Sequence, residues 1–167
     1  IDENNFWPIL MPILEETWQE FEESRIREGT ATEENIRGQL KRLKSKLNEI
    51  ELQADSLERI VHEQIVTRFK ELLSENYDES RVLQEVAVQL VRLTINEEIG
   101  RLRAHIDAFE SIARQPVCGK KLDFLCQEMN REINTIGSKS MLVPVSHAVV
   151  EMKDALENIR EQLRNVE

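Results

Sequence analysis

The stretch GKKLDFLCQEMNREINTIGSKS, residues 119–140, decides how this chain folds. Stepped at about 100° per residue, Leu122, Leu125, Cys126, Met129, Ile133 and Ile136 share one arc wide enough to serve as a helix's core face. The polar residues sort into two further arcs. Asp123, Gln127, Asn130, Arg131 and Asn134 make one; Lys121, Glu128, Glu132 and Thr135 make the other, with Phe124 between them. Asn is a poor helix former, so a face that merely met water would more cheaply use Lys, Glu and Ala. Polar side chains this close to the apolar seam need partners of their own.

The same helical spacing extends outward in both directions. Downstream, GSKSMLVP interrupts the pattern, and a helix from about Ser146 carries the seam Val149, Met152, Leu156, Ile159, Leu163 and Val166. Upstream, QPVCGKK separates residues 119–140 from a helix expected over Ile95–Arg114, with the seam Ile95, Ile99, Leu102, Ile106 and Phe109. TINEE reads as its capping box, Thr94 as cap and Glu97 three residues on. Glu98, Arg101 and His105 line one border of that helix, Glu97 sits beside them, and Glu110 lies on the opposite border.

A further helix is expected over 79–93, on Val82, Leu83, Val86, Leu90 and Leu93. Before it, Ile36, Leu40, Leu43, Leu47, Ile50, Ala54, Leu57 and Val61 step by alternating fours and threes. Such a heptad seam predicts a long coiled-coil-like arm over about 33–76, folded back within the chain or paired between chains. Its run RGQLKRLKSK sets Arg37, Lys41 and Lys44 on one face, which reads as a solvated flank in preference to a phosphate-contacting strip. The opening segment is expected to become helical near Pro12 and to end at Gly29, with Thr30 or Thr32 capping the next helix.

No strand is required anywhere. The expected fold is therefore all-α: a helical bundle with a long coiled-coil-like arm, one domain over 1–167, its core motifs in 81–167. Composition agrees, with 40% hydrophobic and 32% charged residues but only 5% aromatic, five Gly and four Pro. No apolar run approaches the roughly 20 residues of a membrane span. A net charge of −10 argues against coating nucleic acid by bulk positive charge but leaves local basic patches open. Cys118 and Cys126 form no CxxC pair, which points to a reducing cytoplasmic setting. Ile1 in place of an initiator Met leads us to expect part of a longer protein.

Two readings of the polar arcs stand side by side. In one, Glu98 with Arg101 and Glu128 with Arg131 are ion pairs that set the register of a bundle. In the other, carboxylates on two adjacent helices hold Mg²⁺ or Mn²⁺, with His105 or a metal-bound water as base. The residue pattern by itself leans toward the first, since carboxylates four apart occur on any helix. His62 and His147 carry no such constellation.

RVLQEVAVQLVRLTINEEIGRLRAHIDAFE, GKKLDFLCQEMNREINTIGSKS and KDALENIREQLRNVE, in that order, resemble the C-terminal domain of YicC-type bacterial endoribonucleases, as does the upstream REG. The likeness spans essentially the whole chain and is most specific from Arg81 onward. It implies cleavage of single-stranded RNA and not DNA, dependence on a divalent metal (Mg or Mn), no membrane association, and a homo-oligomer expected to be a hexamer. It also implies an N-terminal α/β domain ahead of the helical one. By motif it marks Glu97, Glu98, Arg101, His105, Asp123, Gln127, Glu128, Arg131, Glu132, Asn134 and Lys139. This sequence carries Val91 and Thr94 where the family pattern has aspartates, which shifts weight onto the glutamates.

The expected mechanism follows from both lines. Glu98, Glu128 and Glu132 would hold the cation and, with His105, form the catalytic set. Arg101, Arg131 and Lys139 would offset phosphate charge, and Glu97, Asp123, Gln127 and Asn134 would support them. A metal-free variant uses the RNA 2′-hydroxyl with His105 as base. The alternative from another class is a non-catalytic oligomerisation and RNA-clamping scaffold whose N-terminal partner domain carries the chemistry. The chain alone is expected to cut weakly or not at all.

Overall fold

The computed structural model describes residues 3–72, 80, 83–84, 87–88, 94–115, 117–140, 142–164 and 166, and within these leaves aside the side chains of 3–5, 55, 57–58, 70 and 72. The expected helix over 79–93 lies mostly outside the described residues. Four long helices carry the rest: α1 Glu3–Leu72, α2 Asn96–Ile112, α3 Gly119–Lys139 and α4 Val143–Leu163. No strand occurs among the described residues, so the chain is all-α. By contacts it divides into two units, 1–38 and 39–167.

Three boundaries differ from the sequence expectation, each for a local reason. α1 does not break at Gly29; it runs through Pro8, Pro12 and Gly29 to Leu72. Each proline removes one hydrogen bond, to the carbonyls of residues 4 and 8. Being four apart, those lost bonds lie along one side and leave the rest of the ladder intact. A single glycine costs about 1 kcal/mol relative to alanine and ends a helix only where it turns left-handed. Among the described residues none has a positive φ. Thr30, the expected cap, instead donates its hydroxyl to the Ile26 carbonyl at 2.8 Å, one turn back in the same helix.

At α2, Ile95 rather than Thr94 occupies the flanking N-cap position, and no side chain caps it. α4 begins at Val143, ahead of the expected Ser146, because Pro144 sits in the first turn. There its missing N–H would have had no intrahelical acceptor.

In the unit 39–167, cross-helix ion pairs fix the directions of the helices. Lys44 meets Glu110 at 2.7 Å and Arg103 meets Glu51 at 2.5 Å, so α1 and α2 are antiparallel. Arg42 reaches Asp154 at 2.6 Å while Lys46 reaches Glu151 at 3.4 Å, so α1 and α4 are antiparallel as well. Glu98–Lys139 and Arg101–Glu132 make α2 antiparallel to α3. Gly137 against Val149 and Asp123 against Arg160 do the same for α3 and α4. The result is an up-down-up-down arrangement in which α3 lies between α2 and α4.

The seams read from the sequence form its core. Leu43, Ile50, Leu102, Phe109, Cys126, Met129, Ile133, Ile136, Met152 and Ile159 are essentially closed to solvent. Leu40, Leu47 and Ala54 are buried as well, so this part of the expected arm is covered by the chain's own α2 and α4. Most of the basic run is likewise engaged within the chain: Arg37 pairs with Glu33, Arg42 and Lys46 with α4, and Lys44 with α2, while Lys41 is exposed. Gly137 has a specific packing role. A Cβ there would stand 3.0 Å from a Val149 methyl, closer than carbon contacts allow without movement.

Candidate functional site

The antiparallel crossing of α2 and α3 sets the first turn of α2 beside the last two turns of α3. That juxtaposition assembles a charged cluster from Glu97, Glu98, Arg101, Glu132 and Lys139. Glu98 and Glu132 are buried, 3% and 6% exposed, and carboxylates at that depth need cationic partners. Arg101 supplies one. Its Nε donates to Glu132 at 3.0 Å, one terminal nitrogen donates to Glu98 at 3.2 Å, and the other pairs with Glu97. The hydrogen bond to Glu132 is the largest influence holding the Arg101 guanidinium pKa above its ordinary value, with the neighbouring carboxylate charges adding to it.

Lys139 supplies the other partner. Its Nζ donates to Glu98 Oε1 at 2.9 Å and to the Thr94 carbonyl at 3.2 Å, tying the end of α3 to the start of α2. The placement also suits both helix dipoles, with acids at the start of α2 and a cation at the end of α3. Glu98 Oε1 therefore accepts from both cations, whereas its Oε2 is buried without a protein partner.

The position of α3 between two neighbours explains its two polar arcs. The Glu132 arc faces α2. The Asp123 arc faces α4: Gln127 donates to Asp123 at 2.8 Å, and Asp123 lies 3.7 Å from Arg160, which also donates to Glu157 at 3.2 Å. Cys126, on the core face beside this second network, has its thiol pushed up to about 12 by burial, with Asp123 and Glu157 adding and Arg160 opposing.

Of the residues singled out from sequence, the structure brings together Glu97, Glu98, Arg101, Glu132 and Lys139. Asp123 and Gln127 belong to the α3–α4 network instead. Glu128 and His105 are half-buried and Arg131 and Asn134 exposed; among the described residues no ion pair or hydrogen bond ties any of the four to the cluster. The ion pair expected between Glu98 and Arg101 is present, and that between Glu128 and Arg131 is not among those of the described residues.

The donor set does not fit a divalent cation. No group of three His, Cys, Asp or Glu among the described residues could hold one. The two buried carboxylates are already neutralised by a guanidinium and an ammonium, the role a metal would take. Sequence reading missed Lys139's grip on Thr94, the Arg160 partner of Asp123, and the pairs from α1 to α2 and α4. Those partners lie 37 to 112 residues apart in the chain, and no local spacing marks them.

Comparison with known proteins bears on what this arrangement serves. The family model "Endoribonuclease YicC-like, C-terminal" matches residues 50–167. A protein named "Probable endoribonuclease YicC" from Clostridioides difficile (strain 630) is 40% identical over 99% of this chain and 58% of its own length. One of the same name from Haemophilus influenzae (strain ATCC 51907 / DSM 11121 / KW20 / Rd) is 31% identical over 95% of this chain and 55% of its own length. The chain thus spans a little over half the length of these curated relatives. A model covering residues 50–167, two relatives matching 99% and 95% of the chain and an all-α bundle agree, and the chain belongs to the YicC-like endoribonuclease family, whose C-terminal domain it matches.

Proposed function

We propose that this chain is the RNA-gripping helical part of an endoribonuclease, and that Arg101 is its contact to the backbone of single-stranded RNA. The observation that carries the reading is the asymmetry around Arg101. Behind it, Glu132 and Glu98 are buried and fix the guanidinium; in front, it pairs only with Glu97, whose side chain is 74% exposed. A phosphate arriving from solvent displaces Glu97 at little cost and meets a fork already oriented for bidentate contact. Arg131, exposed on α3 and outside the cluster, offers the strand a second cation. Lys139 is engaged on the inner side by Glu98 and Thr94 and acts as a brace.

This reading gives the carboxylates the work of holding cations in place and favours the clamp over a metal centre within this chain. Metal dependence, implied by the family resemblance, finds no ligand set among the described residues. The assembly we expect is a homo-oligomer. A second reading rests on His105, which is half-buried, lies one turn beyond Arg101 on the same helix and is outside the cluster. It would take the proton of a 2′-hydroxyl as that oxygen attacks the adjacent phosphorus and the 5′-oxygen leaves with a proton from water.

Anisotropy titrations of a labelled single-stranded RNA at several salt concentrations test the clamp. Arg101→Gln should weaken binding roughly tenfold and flatten the log–log salt slope by about 0.7. Lys139→Gln should leave both unchanged. Wild-type binding by Arg101→Gln would remove the proposed contact. Loss of cleavage by His105→Ala with RNA binding intact would move the chemistry onto α2.

A further inference from the structure

Among the described residues of α3, Phe124 is the only large apolar side chain left in solvent, 60% exposed. It does not extend the core face. At 100° per residue it stands about 140° from Met129, which is closed to solvent. Arg131, seven residues on, returns to within about 20° of Phe124 and about 10 Å along the helix. One turn the other way, Lys120 and Lys121 lie about 40° and 60° to either side of it. All three cations are exposed, and among the described residues none is in an ion pair; Lys121 donates to Gln115. Residues 111–122 add Arg114 and contain no acid, in a chain that has 32. An aromatic ring therefore sits in solvent on a locally basic face of an acidic protein.

We propose that Phe124 is a stacking platform for a base of single-stranded RNA, with Lys120 and Lys121 on one side and Arg131 on the other holding the flanking phosphates. A single strand alternates apolar base faces with charge, and this face of α3 alternates cation, ring and cation in the same way. A protein surface docked on Phe124 would have to desolvate these cations unless it brought matching acids. RNA brings a negative charge with every nucleotide.

The residues between the cations select a base over the backbone. Glu128, half-buried, stands about 40° from Phe124 on the side toward α2 and repels a phosphate there. On the other side Gln127 is engaged with Asp123. An uncharged base face fits between them. The track is also continuous with the clamp, because Arg131 adjoins Glu132, the residue that holds Arg101 Nε at 3.0 Å. A strand leaving Arg101 toward the start of α3 meets Arg131, then Phe124, then the two lysines. The inference rests on the reading that this side of α2 and α3 grips single-stranded RNA, and it adds the recognised element, a base face tolerant of sequence.

Oligoadenylate and an abasic oligomer of the same length carry the same phosphate charge and so separate base from backbone in anisotropy titrations. On oligoadenylate, Phe124→Ala and Phe124→Leu should each weaken binding roughly tenfold. The salt slope should stay unchanged, since stacking releases no counterion. Phe124→Trp should bind at least as tightly as wild type. On the abasic oligomer wild type and all three variants should bind alike, whereas Arg101→Gln should weaken both ligands and flatten the slope. With 5-iodouridine in the strand, irradiation should attach RNA to tryptic peptide 122–131, and Phe124→Leu should remove that cross-link. Wild-type binding of oligoadenylate by Phe124→Ala would overturn the platform; if Arg101→Gln still weakens binding, the clamp stands without it. An equal loss on the abasic oligomer would overturn it too, as would a lower oligomer mass of Phe124→Ala in analytical ultracentrifugation, which would make Phe124 a contact between copies. A Phe124→Ala loss confined to oligoadenylate, with Arg101→Gln binding as wild type, would keep the platform and remove only the Arg101 contact.

Discussion

Two segments of α1 carry the same pattern and meet opposite fates. Leu40, Leu43, Leu47, Ile50 and Ala54 repeat at three and four residues and are buried; Trp7, Met11, Leu14, Trp18 and Phe21 repeat likewise and are exposed. Heptad spacing says that a helix face will be covered. It does not say by what. For the first segment, partners come from residues far along the same chain, Glu110, Glu151 and Asp154 among those that align it. The second has no such partner among the described residues of its unit.

The sharpest way to break this comparison is to truncate one leucine from each segment. Leu43→Ala leaves a cavity at a site closed to solvent and should cost about 2–5 kcal/mol in urea unfolding. Leu14→Ala, at an exposed site, should stay within about 0.5 kcal/mol. Equal costs would mean that the N-terminal stripe is covered within the monomer.

A smaller effect is expected at Gly137, where the covered part of the molecule is packed most closely. Gly137→Leu drives side-chain atoms into Val149, 3.0 Å from the first added carbon, and should cost about 1–3 kcal/mol. Pairing it with Val149→Ala should recover part of the loss, because the alanine frees that volume. No recovery would place the cost in the helix backbone and not in the α3–α4 contact.

An effect absent at neutral pH is a pH dependence that sharpens the same contrast between closed and open faces. The Cys126 thiol is pushed from its usual 9.0 up to about 12, chiefly by burial. Its folded pKa exceeds the unfolded one, so between about pH 9 and 12 the unfolded chain has lost this proton while the folded chain keeps it. Stability should therefore fall as pH rises through that window and be unaffected by this thiol below it. At pH 8 a thiol reagent should label the native chain slowly and the urea-unfolded chain at once. Rapid native labelling at Cys126 would contradict a closed core face on α3.

Much of this was legible in the sequence, and the failures have definite causes. The core arc of α3 was readable because burial follows the 3.6-residue period directly, and Leu122 through Ile136 needed no tertiary information. The end at Gly29 was misplaced because local breakers act weakly against a helix that has neighbours on both sides to propagate from. The start of α4 was late because Pro144 reads as a stop by itself and as a first-turn residue only in context. For the charged site, Glu98 with Arg101 was visible as an i, i+3 pair, while Glu132 and Lys139 joined it only through the α2–α3 crossing. The three-glutamate metal set was plausible on the helical wheel, yet Glu128 and Glu132, one turn apart on α3, differ in burial and in partners.

By itself, then, the sequence determined the helices and their buried faces, because amphipathic period is a property of a few consecutive turns. It also carried the family, through a motif long enough to be specific. Tertiary structure alone decided which charges meet. An ion pair depends on positions as much as 112 residues apart being brought within 3 Å or so by antiparallel packing, and no periodicity encodes that distance. It likewise decided that α1 would hide one of its two apolar seams and leave the other bare.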